Sequence, residues 1–211
     1  MAAQPSFADS VFLNCPFDPV YMPLLEALVF CVIDCGFVPR CALEGGDAGA
    51  TRIDRIEGLV ASCAFSVHDL SRVELSEGLP RFNMPFELGL DLGCRRFGSQ
   101  TARPKQCLVV DSDRYRYQRS LSDISGQDIR SHRNSPDELI TSVRNWLRTA
   151  SGRSTIPGPL LIKRRFRKFS RALRTLCDKA GRDRKKLEFA DYTTLIEGWL
   201  RAESDRPQAA P

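Results

Sequence analysis

The chain has 211 residues, 42% of them hydrophobic and 27% charged, which suits one ordinary globular domain with a small extension. No apolar run approaches the ~18–20 residues of a membrane span, and MAAQPSFADS has neither a basic nor an apolar leader region; the expectation is a cytoplasmic protein without membrane contact. The net charge of +5 is uneven, because Leu160–Arg206 holds 14 Lys+Arg against 7 Asp+Glu and leaves 17 basic against 19 acidic residues elsewhere.

SVFLNC (Ser10–Cys15) is a β-branched and apolar run that predicts a buried strand. Tyr21–Cys35 carries Leu24, Leu25, Leu28, Val29 and Val32 at helical spacing, and Gly36 ends it. FVPRCAL (Phe37–Leu43) predicts a second strand, with Pro39 indicating an edge or an irregular start. After the acidic, glycine-rich loop EGGDAGA, Thr51–Ser62 is amphipathic through Ile53, Ile56, Leu59 and Val60. AFSVHDL (Ala64–Leu70) predicts a third strand. A polar loop follows, and a helix runs from Met84 to about Phe97 with Pro85 in its first turn. QCLVVD (Gln106–Asp111) is a fourth strand, and a short fifth is expected near Asp128–His132. Ser135-Pro136-Asp137-Glu138 opens a capped helix that continues through Leu147.

Alternating strands and helices over residues 1–150 predict an α/β domain of the flavodoxin-like, doubly wound type. Its sheet is expected to be mostly parallel, with four or five strands. Residues 151–160 (SGRSTIPGPL) read as a linker, residues 161–205 as a basic two-helix extension, and residues 206–211 as a tail. In the extension, Ile162, Phe166, Phe169, Leu173 and Leu176 form an apolar stripe that must pack on the domain or on another copy. The basic tail reads as a solvated helix face before it reads as a nucleic-acid groove, so a nucleic-acid partner is not expected.

Eight cysteines without CxxC spacing, and two histidines, make a zinc site unexpected; buried, reduced thiols fit better. No resident cofactor is expected either. GGDAG lacks both GxGxxG and a Walker lysine, and GxSxG is absent, which disfavours dinucleotide dehydrogenases, P-loop enzymes and acyl hydrolases.

In a parallel sheet, ligands bind beyond the carboxyl ends of the strands. There the first strand delivers Asn14, Pro16, Phe17 and Asp18, the second leads to Glu44 and Asp47, and the third delivers His68, Asp69, Ser71 and Arg72. The next helix mouth adds Arg81, Asn83 and Glu87, with Phe82 as a second aromatic. A carboxylate beside an oxocarbenium-like sugar carbon stabilises or attacks it, the chemistry of glycosidic cleavage. Glu87 suits that role, and a helix mouth would keep it ionised. The alternative is structural: with Pro85 at N1, Glu87 is N3 of a capping box. Asp69 is a strand-end cap or a ligand contact, His68 a core histidine or a cleft residue, Asn14 a turn former or a cleft residue, and Asp47 a solvated loop residue or a contact.

The runs VFLNCPFD, SVHDLSR and RFNMPFELGLDLG resemble a bacterial family of TIR-like and nucleoside 2-deoxyribosyltransferase-like proteins over about Val11–Leu147. The resemblance implies that Glu87, in Glu87-Leu88-Gly89, is the catalytic carboxylate. It further implies that Asp69 helps orient the sugar and that NCPF lines the pocket. Asn83-Met84-Pro85-Phe86 departs from the Gly- or Thr-containing run usual before that Glu, which weakens any inference of a 2′-deoxyribose preference. The implied activity is an N-glycosidase on a nucleotide, foremost NAD hydrolysis to nicotinamide and ADP-ribose, with NAD as substrate rather than cofactor. Such relatives imply antiviral defence and homo-oligomeric assembly. Base exchange between nucleosides, or a non-catalytic nucleotide-sensing module, are the other expectations.

Overall fold

The computed structural model of the protein describes residues 5–45, 49–72, 75–76, 79–99, 104–119, 121–124 and 126–205. The expected tail at 206–211 lies outside them. Five strands, β1 (Ser10–Asn14), β2 (Val38–Arg40), β3 (Phe65–Asp69), β4 (Gln106–Asp111) and β5 (Arg130–Ser131), form one sheet in the order β2-β1-β3-β4-β5. Every neighbouring pair is parallel. This is the flavodoxin-like order, in which the winding reverses between β1 and β3 and opens a crevice at their carboxyl ends.

Helices α1 (Met22–Asp34), α2 (Arg52–Ala61), α3 (Asn83–Phe97) and α4 (Pro136–Ser151) cover the two faces, with α1 and α4 on one and α2 and α3 on the other. β1 and β3 are buried at every residue, as strands sandwiched between helix layers must be. Side chains alternate between faces. Val11, Leu13, Phe65 and Val67 pack with α1 and α4, while Phe12 packs with Ile56, Leu59 and Val60 of α2. Thr51 and Asp54 close a reciprocal capping box on α2, and the Ser135 hydroxyl accepts from the Glu138 N–H at the start of α4. Gly36 ends α1 at φ +81°, a conformation that glycine tolerates best.

The loop before α3 contains a feature the sequence did not announce, a short antiparallel pair of Leu75–Ser76 with Leu79–Pro80. The helix itself begins at Asn83, earlier than the Pro85 signal suggests. Glu87 is therefore the fifth helical residue rather than the third, and its first turn holds no acidic residue.

The carboxyl-terminal helices α5 (Pro159–Lys179) and α6 (Phe189–Ser204) lie against α1. Ile162, Phe169, Leu173, Cys177, Tyr192 and Ile196 join the buried cluster that contains Val29, Phe30 and Val32. The Phe30 ring lies 5.4 Å from that of Phe169, 5.5 Å from Phe166 and 6.1 Å from Trp199. The apolar stripe of α5 is thus satisfied within the chain. The segment between α4 and α5 is also tied down: Arg144 donates to the carbonyls of Ile156 and Pro157. Among the described residues no helix is long and apolar enough to cross a membrane.

Candidate active site at the switch point of the sheet

A cavity of about 450 Å³ opens where the winding reverses. Asn14, Cys15, Pro16 and Phe17 line it from the end of β1, Arg52 from the start of α2, and Arg81, Phe82, Asn83, Met84 and Glu87 from the approach and first turns of α3. Its chemistry is one carboxylate, two guanidinium groups, two phenyl rings and two amides. Glu87 is 6% exposed. Burial raises its carboxyl above the ordinary value, against the opposing pull of the Arg52 guanidinium. The ionising effect expected from a helix mouth does not win here, because the group sits beyond the first turn and is largely desolvated. Arg52 Nη2 stands 4.0 Å from Glu87 Oε1, and the Arg52 side chain is 65% exposed, so this is a loose pair that a ligand can rearrange. Arg81 Nη1 lies 3.3 Å from Asp18 Oδ2, with Arg72 on the same carboxylate. Phe82 is exposed at the rim.

Of the residues picked out from the sequence, Asn14, Pro16, Phe17, Arg81, Asn83 and Glu87 meet in this cavity. Asp47 lies outside the described residues. His68 and Asp69 do not line the cavity, and strand parity explains their separation. Adjacent residues on β3 point to opposite faces. His68 turns toward α3, and Asp69 turns toward α1 and β5. Asp69 is fully buried; its Oδ2 accepts from Tyr21 Oη at 2.5 Å and lies 3.1 Å from His132 Nε2, while its Oδ1 accepts from the Ser71 N–H. Burial opposes its charge, but His132, Ser71 and Tyr21 outweigh burial and lower its pKa. This carboxylate anchors the end of β3, and its bonds are made to the protein.

Beneath the cavity runs a second buried network, centred on Asp91 of α3. His68 Nε2 lies 3.0 Å from Asp91 Oδ2, which Ser66 Oγ also reaches. Lys105 Nζ stands 3.1 Å from Asp91 Oδ1 and donates to the carbonyls of Val60 at 2.6 Å and Cys63 at 2.5 Å. Burial works against the Asp91 charge, but His68, Lys105 and Ser66 pull the carboxyl down to about 2. Burial disfavours a charged His68, while Cys107 and Asp91 favour one. The hydrogen-bond geometry decides the state present here: the Asn14 amide nitrogen, 2.9 Å away, faces His68 Nδ1 and requires a lone pair there. The imidazole is therefore neutral, with its proton on Nε2.

His68, Asp91 and Cys107 offer donor atoms within 4.8 Å of one another, the spacing of a metal site. Their chemistry does not fit one, because Asp91 is already held by Ser66, His68 and the Lys105 ammonium, whose charge occupies the place a cation would take. Cys15, at the cavity wall, has its thiol pushed well up by burial first and by nearby acidic groups next, which removes it as a thiolate nucleophile. That leaves Glu87 as the acidic or nucleophilic group of the cavity.

Sequence reasoning missed Arg52, Asp91, Lys105 and the Tyr21–Asp69–His132 cluster. One signal was available: Glu87 and Asp91 at i, i+4 share a helix face within an otherwise apolar stretch. Arg52 and Lys105 carry no such pattern. The fold and cavity define a doubly wound α/β protein with a carboxylate-bearing crevice at its switch point. No protein-family model, curated protein or solved structure matches the chain.

Proposed function

We propose that the protein is an N-glycosidase that cleaves the base–ribose bond of a nucleotide, with NAD hydrolysis to nicotinamide and ADP-ribose as the leading reaction. The observation that carries this reading is the isolation of Glu87, a buried carboxylate with a raised pKa, in a cavity shared with Arg52, Arg81, Phe17 and Phe82. Guanidinium groups bind phosphates and phenyl faces stack on bases. The TIR-like and deoxyribosyltransferase-like resemblance of the sequence gives Glu87 the same role. The two arginines favour a phosphorylated substrate, and so favour nucleotide hydrolysis over base exchange between bare nucleosides.

In this reaction the C1′–N bond breaks and its electron pair leaves with the base, turning the nicotinamide pyridinium into a neutral ring. The positive charge moves to C1′ and the ring oxygen, where the Glu87 carboxylate stabilises or captures it. Water then adds to C1′ and releases a proton to solvent. A cationic leaving group needs no general acid, which matches a cavity that offers one carboxylate.

The test is base release from NAD and from a nucleoside panel, followed by chromatography with the pure protein. Release by wild type that E87Q reduces by about 10²-fold or more supports the proposal. Equal release by the two proteins would overturn it, and dependence on an added acceptor base would convert it to base exchange.

A further inference from the structure

The Asn14 amide has only one orientation available. Nδ2 lies 2.8 Å from the Met84 carbonyl oxygen and 2.9 Å from His68 Nδ1. Turning the amide over would set Oδ1 against the Met84 carbonyl, acceptor to acceptor. Both N–H bonds are thereby committed to the protein. Oδ1 accepts no hydrogen bond among the described residues, and Asn14 lines the cavity. An amide that ordinarily offers both polarities offers the ligand an acceptor alone.

What keeps it so lies beneath the cavity floor. His68 accepts from Asn14 only while its proton rests on Nε2, and Asp91 holds that proton at 3.0 Å. Ser66 and Lys105 in turn fix Asp91 as a carboxylate. The Phe12 ring packs against the His68 imidazole in a T-shaped contact, 5.9 Å between centroids. The whole assembly is buried. A low-dielectric setting strengthens a chain of hydrogen bonds of this kind, and its polarity runs in one direction.

We infer that Asn14 is a specificity-determining residue that accepts a hydrogen bond from a sugar hydroxyl of the ligand, and that His68 and Asp91 are positioning residues that lock the acceptor toward the cavity. The inference rests on the nucleotide reading of the site and names the part of the nucleotide that is read. A site built to accept from a hydroxyl rejects the analogue lacking it, because the buried oxygen is left unpaired. A methyl ether fails for the same reason, since it cannot donate.

The test measures binding rather than turnover. Calorimetry compares ADP, 2′-deoxy-ADP, 3′-deoxy-ADP and the corresponding O-methyl analogues on wild type, N14L and H68F. Wild type should bind ADP about fivefold to tenfold more tightly than at least one deoxy analogue and its O-methyl counterpart, the worth of one net hydrogen bond. N14L, which keeps the shape of the side chain, should reduce that ratio to about one while ADP affinity falls to the level of the deoxy analogue. H68F keeps a ring against Phe12 but removes one of the two acceptors that hold the Asn14 amide, leaving the Met84 carbonyl alone to orient it, so it should lower the ratio by at least half in a variant that still unfolds cooperatively. Full discrimination in N14L, or in a folded H68F, would overturn the inference, as would the absence of ADP binding to wild type at millimolar concentration. The failures are separable. Discrimination without any base release removes the glycosidase reading and leaves the polarity of Asn14 intact; base release without discrimination does the reverse.

Discussion

Glu87 and Asp91 stand one helical turn apart on α3, and their surroundings drive them in opposite directions. Burial raises Glu87, which has only a loose contact 4.0 Å away with Arg52. Asp91 is just as enclosed, yet His68, Lys105 and Ser66 overcome burial and bring it down to about 2. Carboxylates separated in this way divide their tasks. Asp91 is a permanent anion whose oxygens are taken by the protein, and Glu87 is an anion kept for a ligand.

Replacing Glu87 should separate activity from stability. E87Q removes the carboxylate but keeps the shape, so base release should fall by about 10²–10⁴-fold. Stability should move the other way. A carboxyl whose folded pKa lies above its unfolded value of 4.5 binds its proton more tightly in the folded state. Its ionisation therefore costs stability, and the cost develops as pH rises from 4.5 through the folded value. Urea midpoints of wild type should decline relative to E87Q over that interval and run parallel to it below. A difference that grows as pH falls would contradict the burial of this group.

Asp91 predicts the opposite pH dependence. Its folded pKa is depressed from 3.8 to about 2, so its contribution is present above 3.8 and lost as pH falls toward 2. D91N should remove that acid limb from a urea-midpoint titration. It should also cost about 3–5 kcal/mol at neutral pH, because Lys105 remains buried with its charge uncompensated. K105M should be costly for the mirror reason, and the D91N/K105M double variant should recover much of the sum. Strict additivity would show that the 3.1 Å pair carries no coupling.

The sheet was legible because parallel strands buried on both faces announce themselves as apolar runs. SVFLN, FSVHD and QCLVVD occupy β1, β3 and β4 as read, and β5 falls within the expected 128–132 interval. Convergence of NCPF, Arg81, Asn83 and Glu87 followed from topology alone, since parallel strands place their carboxyl ends on one edge. Asp69 shows where that logic stops. Sharing an edge is not sharing a face, and one residue of offset from His68 sends Asp69 to Tyr21 and His132 on the far side of the sheet. Helix α3 shows a different limit. Pro85 is as acceptable at the third helical position as at the first, so the proline could not fix the start, and the capping-box alternative for Glu87 fails on a two-residue shift. Lys105 was illegible for another reason: its partners, the carbonyls of Val60 and Cys63, are backbone atoms that any sequence would supply.

Arg52 offers a test of what the cavity recognises. It stands at the first position of α2, reaches Glu87 at 4.0 Å, and is the more exposed of the two cavity arginines. R52A should weaken binding of ADP by about 3–10-fold and leave adenosine almost unchanged, because the lost partner is a phosphate. Since Arg52 also lowers the Glu87 pKa, the acid limb of the pH–rate profile should move to higher pH in R52A. Equal weakening for ADP and adenosine would assign Arg52 to structure rather than to phosphate recognition.

The carboxyl-terminal helices make a prediction about folding that bears on assembly. Phe169 is fully buried between Phe30, Tyr192 and Trp199, with centroid distances of 5.4, 5.8 and 5.7 Å. F169A should therefore destabilise the chain by about 3–5 kcal/mol, the usual cost of a phenyl-sized deletion in a packed core. R171A, on the exposed face of the same helix, should stay within about 0.5 kcal/mol of wild type. The decisive readout is concentration dependence. A stripe that packs inside its own chain gives the same loss at every protein concentration, measured by urea unfolding over a hundredfold range. A stripe that packs against a second copy would instead give a loss that grows on dilution together with a change in mass. Phe30 of α1 and Tyr192 and Trp199 of α6 already surround Phe169, so the first outcome is expected. Any homo-oligomer must then be built on another surface.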